Sequence, residues 1–312
     1  MPACPVTVII PTYNRPDQLL VTLEHIYNCD PYPNEVIVHI DANDKGTQTA
    51  LHNSSFQETR IIQSNVQVGP GGGRNIALAE ASHELVASFD DDSYPLDKDY
   101  FRRLVQLFEE FSQAAVIGAS IFHIGEQVVL DQPIARWVAD FVGCGCAYRK
   151  SIFLQTNGYV PLALAYGMEE VDLALQLHNL NLPILQSPYL RVFHNTQLTH
   201  HSTPKVTAAS IANLALLAIL RYPASFWWLG VAQCLNRIFW LIKHGRYAGI
   251  FQGIITIPQL ISQHHHRRKI ISREALHSYL KLRNTEGSTL DIESTLPGSP
   301  QYFVKCNDTT LI

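Results

Sequence analysis

The sequence predicts an α/β fold, a mostly parallel central sheet flanked by helices, with a helical extension behind it. Three observations carry this. Short β-branched runs alternate with segments of helical spacing through the first two hundred residues, polar residues collect where those runs end, and the bases crowd into one later stretch of the chain. Residues 6–10 form a β-branched run that Pro11 is expected to stop, giving a first strand. Residues 18–27 follow with Leu19, Leu20, Leu23 and Ile26 at helical spacing. Residues 35–40 read as a second buried strand ending at Asp41, residues 59–63 as a third, residues 73–81 as a helix and residues 84–89 as a fourth strand ending at Asp90. Beyond them, residues 167–173 precede a helix that continues through Leu175, Leu177 and His178, and the apolar run 190–193 ends at His194. Ligands of such sheets bind beyond the carboxyl ends of the strands. That is where Thr12, Tyr13, Asn14, Asp41, Asp44 and the triplet Asp90, Asp91, Asp92 fall.

At 312 residues the chain is about twice an average domain of ~150 residues. We expect residues 1–203 to form the sheet domain, 204–283 a basic apolar helical region and 284–312 a loose tail rich in Thr, Ser, Gly, Asp and Pro. With 46% apolar and 16% charged residues, disorder over most of the chain is excluded. Six cysteines without a CxxC pair make neither a disulfide scaffold nor a zinc knuckle, so a reducing compartment fits. The opening residues enter the first strand without a basic stretch or a cleavage site, so no signal peptide is expected and the location is cytoplasmic.

The net charge of −4 conceals a polarised chain. Between Lys205 and Arg283 there are eleven Lys and Arg and a single acid, Glu274. Two uncharged runs of 15 residues, 206–220 and 222–236, are separated by Arg221, and each falls short of the ~20 apolar residues of a bilayer span. Arg221, Arg237, Lys243 and Arg246 together with Trp227, Trp228, Trp240 and Tyr247 suit a membrane surface, where cations meet phosphate and indoles sit at headgroup level. Attachment at the inner face of the plasma membrane is the expectation; helices that cover the core, or a true span, are the alternatives. The run from His264 to Lys269 reads as a solvated or lipid-facing charge cluster.

Three adjacent aspartates repel one another, and a hard cation relieves that. Asp90 and Asp92, at alternate positions, are placed to hold Mg2+ or Mn2+ while a diphosphate supplies further oxygens; a solvated acidic turn before Pro95 is the plainer alternative. The glycine run 69–73 opens a helix whose amides are expected to face an anion, with Arg74 just inside it; the run is neither GxGxxG nor a Walker A loop. Glu169 and Glu170 stand at a helix start, where they either complement the dipole or provide a general base. His194 completes the metal site or is structural.

Taken in order, these segments resemble the family 2 glycosyltransferases of GT-A fold. The matching blocks are Val8-Ile-Ile-Pro-Thr-Tyr-Asn-Arg15, Asp41, Asn65-Val-Gln-Val-Gly69 to Gly73-Arg-Asn75, Phe89-Asp-Asp-Asp92, the stretch from Gly143 to Tyr159, and Glu169-Glu-Val-Asp-Leu173. The later helices are similar to those of bacterial rhamnosyl and polysaccharide transferases. The resemblance implies that Pro11, Thr12, Tyr13, Asp41, Arg74, Asp90 and Asp91 bind a nucleotide sugar (a UDP- or dTDP-sugar), that Asp90, Asp92 and His194 hold Mn2+ or Mg2+, and that Gly143, Tyr166 and Asp172 line the acceptor side. It also implies that Glu170, or Glu169 beside it, removes a proton from a glycan or lipid-linked acceptor, with no nucleic acid partner. Two departures stand out: the family's Asp-Asp-Gly-Ser is here Asp41-Ala-Asn-Asp44, and its Glu-Asp pair is Glu169-Glu170. A sugar-1-phosphate nucleotidyltransferase lacks its glycine-rich N-terminal loop in this sequence, and a non-catalytic sugar-binding scaffold would have lost carboxylates that are all present.

Overall fold

The computed structural model describes residues 3–126, 135–164, 166–196 and 203–285. Four parallel strands come first: β1 (Ala3–Thr12), β2 (Tyr32–Ile40), β3 (Arg60–Gln63) and β4 (Leu85–Phe89), in the spatial order β3-β2-β1-β4. The helices α1 (Pro16–Tyr27), α2 (Thr47–His52) and α3 (Gly69–Glu80) connect them. Neighbouring side chains of β1 alternate between two cores. Ile9 faces Ala77, Leu78 and Leu173, whereas Val8 and Ile10 face Leu19, Leu23 and Leu104. Both faces are thus dry, as the near-continuous apolar runs require. Each such side chain contributes roughly 1.5–3 kcal/mol by leaving water.

Beyond β4 the sheet becomes mixed. β5 (Ser93–Pro95), α4 (Tyr100–Glu110), β6 (Val116–His123), β7 (Arg136–Val138), β8 (Gly145–Arg149), α5 (Lys150–Phe153), α6 (Glu169–Asn179) and β9 (Ile184–His194) complete it. β8 inserts between β4 and β6, antiparallel to both, while β6 and β9 are parallel. This insertion matters for function. Gly145 pairs with Phe89, and His194 pairs with both Ser93 and His123, so the residues flanking β8 and the end of β9 arrive beside the aspartates that follow β4.

Two boundaries differ from expectation. Pro11 does not stop β1, which pairs with β2 as far as Thr12; the β4 ladder has already ended at Ile9, so the missing N–H removes no bond there. The glycine run does not precede its helix but forms the first turn of α3.

Behind the sheet lie α7 (Pro204–Arg221), α8 (Trp227–Lys243), α9 (Ile250–His264) and α10 (Arg273–Thr285). Thr203 caps α7 by accepting from Val206 N–H at 3.3 Å, with Pro204 at the first helical position. α7 packs against α8 and α9, and α10 packs on α6. Among the described residues α7 alone is long and apolar enough to cross a membrane, by length and composition, and 56% of it is buried inside the protein. The outer faces of α8 and α9 are different: Trp228, Leu235, Phe239 and Phe251 are 61–75% exposed. Asn284 and Thr285, assigned to the tail by composition, end α10, and the rest of that tail lies outside the described residues.

Candidate active site

The carboxyl ends of β1, β2 and β4 and the N-terminus of α6 meet at a cleft of about 320 Å³. Pro11, Thr12 and Tyr13 line it from β1, Asp41 from β2, Arg74 from α3, Asp90 and Asp91 from β4, and Glu169 and Glu170 from α6. Nine residues singled out along 160 positions of sequence therefore share one wall. Arg15, His39 and Gln67 join them without having been assigned a place there.

The amides of the glycine turn face acids of the protein itself. Asp41 accepts from Ala42 N–H (2.8 Å), Val68 N–H (2.9 Å) and Gly69 N–H (2.9 Å), and Glu169 accepts from Gly71 N–H at 2.6 Å. The expectation of an anion on that turn is met by internal carboxylates, which satisfy the orphan donors of a helix start. Gly71 must lack a side chain, because a Cβ would collide with Glu169 Oε1 and lie 2.8 Å from Tyr159 Cβ. Arg74 is almost fully buried and spans the site: its guanidinium reaches Asp90 on one side and Glu169 Oε2, at 3.3 Å, on the other, while Nε donates to Ser88 Oγ at 3.0 Å.

The two glutamates are inequivalent. Glu169 has both oxygens engaged by Gly71 and Arg74. Glu170 is half-buried on the cleft wall and accepts from Gly143 N–H at 3.2 Å. A side chain at Gly143 would press a Cβ to 2.7 Å from Glu170 Oε1, so the glycine is required by that approach. Burial, against the pull of Arg74, pushes Glu169 up to about 8 and raises Glu170 as well.

A pH dependence follows. Glu169 in the native state keeps a proton that the unfolded chain, near the ordinary value of 4.5, gives up. Its contribution to stability is complete below that value and is lost as pH rises through about 8. Glu169→Gln removes the titration. The melting temperature of the variant relative to wild type is expected to rise by several degrees between about pH 5 and pH 8.5, measured by calorimetry; a constant difference would refute the buried acid.

The aspartates divide their tasks. Asp91 accepts from Thr12 Oγ1 (2.9 Å) and Arg15 Nη1 (2.8 Å), and burial lifts it to about 7 in spite of that arginine. Asp92 is also buried, yet the hydrogen bond to His194 and the charge of Arg15, whose Nη2 donates at 2.7 Å, hold it below the usual carboxylate range. His194 Nε2 lies 3.2 Å from Asp92 Oδ1; burial opposes its protonation, but Asp92 and Asp90 outweigh burial and raise it. Asp90, Cys144 and His194 each present a ligand atom, all within 4.8 Å of one another. This donor set fits a divalent cation. Arg15 and Cys144 were not singled out as site residues. Their only signal was position inside quoted blocks, since the pairing of β8 with β4 is not written in either segment.

Two residues expected on the acceptor side do not line this cleft. Tyr166 lines a separate hollow of about 470 Å³ with Val171, Ser210, Arg237 and Trp240. Asp172 is fully buried and paired with Arg221, with Oδ2 accepting from Nη2 at 3.1 Å. Asp172, one turn along α6 from Glu169, is turned to the helical layer and pairs with Arg221 on α7.

The profile of Glycosyl transferase family 2 matches residues 7–156. A protein of Campylobacter jejuni described as GalNAc(5)-diNAcBac-PP-undecaprenol beta-1,3-glucosyltransferase is 35% identical over 89 residues, covering 28% of this chain and 29% of its own. The O-antigen chain rhamnosyltransferase RfbN of Salmonella typhimurium is 25% identical over 174 residues, covering 49% of this chain and 55% of its own. The chain thus spans less than two thirds of the length of either relative. Among solved structures, the mannosyltransferase PcManGT from Pyrobaculum calidifontis in complex with GDP-Man and Mn2+ superposes with a TM-score of 0.55 at 16% identity, over 91% of this chain and 87% of that one. At such identity the likeness establishes the fold, which is GT-A.

Proposed function

We propose that this chain, whose residues 7–156 match the profile of Glycosyl transferase family 2, moves a sugar from a nucleoside-diphosphate sugar to a hydroxyl of a glycan or lipid-linked acceptor, with inversion. The observation that carries this is the convergence of Asp41, Arg74, Asp90 and the Glu169-Glu170 pair on one cleft from elements far apart in sequence. Thr12, Tyr13 and Asp41 border the end that suits a nucleoside, and the rim of Asp90, Asp92 and His194 the end that suits a diphosphate. A divalent cation, Mn2+ or Mg2+, bound at that rim supplies positive charge to the departing nucleoside diphosphate.

Glu170 is the base in this scheme. Burial raises its proton affinity, which strengthens it as the acceptor of the hydroxyl proton, while that oxygen bonds to the anomeric carbon and the carbon–phosphate oxygen bond breaks. Glu169, tied to Gly71 and Arg74, positions the wall rather than reacting. Direct displacement inverts the anomeric centre. The named relatives act on an undecaprenol-linked glycan and an O-antigen chain. A lipid-linked acceptor for this chain is supported further by the exposed aromatic face of α8 and α9 and the bases around it, which suit the anionic surface where such an acceptor is anchored.

A thermal-shift panel of UDP, dTDP, GDP and ADP with and without Mn2+ tests the nucleotide assignment. One diphosphate with metal is expected to raise the melting temperature, since binding to the native state at one hundred times Kd stabilises by about 2.7 kcal/mol; no shift with any of them would refute it. Trp228→Ser combined with Phe239→Ser and Phe251→Ser is expected to reduce sedimentation with phosphatidylglycerol liposomes at least several-fold while leaving the melting temperature near wild type. Equal partitioning would remove the membrane assignment.

A further inference from the structure

We propose that the hollow between the start of α6 and the helices α7, α8 and α10 seats the diphosphate of a lipid-linked acceptor, with Arg237 and Arg283 meeting the phosphates and the lipid chain leaving over α8. The proposal rests on the reading that the acceptor is lipid-linked, and gives that acceptor a place. The hollow encloses about 470 Å³, within the range of roughly 300–1,000 Å³ usual for ligand sites. One stripe of α7 lines it, Ser210, Leu214 and Leu217, at the spacing that keeps side chains on a single helix face. Arg237 and Trp240 enter from α8 and Arg283 from α10. Among the described residues no acid lines this space, so its charge is that of the two arginines.

Both arginines are held in place without being neutralised by a carboxylate in direct contact. The Arg237 guanidinium lies over the Trp240 ring, with Cζ 4.7 Å from its centroid, and Nε donates to Ser210 Oγ at 3.1 Å. Fixed in this way, its planar fork is pre-organised for two phosphate oxygens. Arg283 Nη1 donates at 3.1 Å to the Tyr279 hydroxyl, which in turn donates to Asp140 Oδ2 at 2.9 Å, so the acid reaches this arginine through the phenol. Two cations match the two negative charges of a diphosphate that carries a lipid at one end and a sugar at the other. The position serves both ends. Tyr166 and Gly167 line the hollow while Ala163, Glu169 and Glu170 line the cleft, so one short segment is the partition between them, and a sugar on the diphosphate crosses it to reach Glu170. On the other side, α8 carries Trp240 into the hollow and presents Trp228, Leu235 and Phe239 to the exterior, an apolar path for the chain.

Titration calorimetry of the full chain with farnesyl diphosphate tests this without recourse to transfer activity, in EDTA so that the acidic rim of the cleft does not compete for the phosphates. Wild type is expected to bind, and Arg237→Gln and Arg283→Gln each to bind about 10–100-fold more weakly, the usual loss of a charge-assisted hydrogen bond. The two arginines stand on different helices, so a fold defect in one variant leaves the other informative, and an unchanged melting temperature shows which is intact. Inorganic pyrophosphate, which lacks the chain, farnesol, which lacks the phosphates, and dihexanoyl phosphatidylglycerol, which carries a single phosphate, are all expected to bind much more weakly. Affinity equal to that of farnesyl diphosphate for any of them would make the hollow a free-phosphate site, an apolar groove or a phospholipid anchor respectively, and overturn the acceptor assignment. The combined Trp228→Ser, Phe239→Ser and Phe251→Ser variant is expected to keep the binding; its loss there would move the site to the outer face of α8 and α9. Absence of binding in wild type, or full affinity in both arginine variants, would overturn the proposal. Neither result touches the nucleotide panel with Mn2+, so the failure of this site and the failure of the glycosyl-transfer assignment remain separable.

Discussion

Arg221→Ala is expected to destabilise the protein by about 3–5 kcal/mol, the cost of leaving one member of a buried ion pair uncompensated. Arg221 has no exposed surface, and Asp172, its partner on α6, has none either. The guanidinium makes more than an ion pair. Nη1 donates to the carbonyl of Arg267 at 3.0 Å, while the backbone of Ile271 donates to the carbonyl of Arg221 itself at 2.9 Å, so one residue fastens α6, the end of α7 and the basic turn before α10. Calorimetry should show the melting temperature falling by roughly 10 °C. Asp172→Leu together with Arg221→Met should recover most of that loss, because an apolar pair of similar volume avoids the desolvation that a lone charge suffers. A single arginine deletion that leaves stability within experimental error would show that the helical layer is not anchored through this pair. Arg221 also explains why the two uncharged runs of the sequence are interrupted where they are. The charge sits inside the protein, so it argues against α7 as a span rather than for a contact with lipid phosphate.

Glu170→Gln is expected to lower kcat by about 10²–10⁴-fold, the usual worth of a positioned general base, with nucleotide binding in the thermal-shift assay unchanged. Glu169→Gln should behave differently. Its oxygens are committed to Gly71 N–H and Arg74, so the substitution disturbs the wall of the donor cleft and should alter nucleotide affinity along with rate. Single-turnover kinetics with the two variants separates the cases, and a Glu170→Gln protein with wild-type kcat would transfer the role elsewhere.

Most of the first half of the fold was legible because its strands are buried on both faces. Residues 36–38 and 85–87 are apolar throughout, and an acid follows each strand, which marks both the strand and its functional end. The later half was less so. The helix at Tyr100–Glu110 buries Phe101, Leu104, Leu107 and Phe108 on one face, and its place in the fold depends on the strands it covers. β8 is only five residues long, and its antiparallel insertion is fixed by β4 partners 56–64 residues away. For the same reason the motif around Asp172 does not reveal its partner. Glu169 and Asp172 are one turn apart on α6, so helix spacing alone does not separate their roles, and only the position of Arg221 shows how Asp172 is used. Arg15 and Cys144 likewise have no periodic signature, because their neighbours are defined by strand order.

The first turn of α3 illustrates how weak propensity can be made useful. Glycine disfavours a helix interior by about 1 kcal/mol per residue relative to alanine, and here Gly71, Gly72 and Gly73 follow one another in a helix. What holds the coil shut is borrowed from outside: a carboxylate from the neighbouring strand and another from α6 grip its free amides. The donor wall and the reacting acids are consequently a single cooperative unit whose local order exists only while both chains of contact persist, much as an arch stands only with both abutments in place.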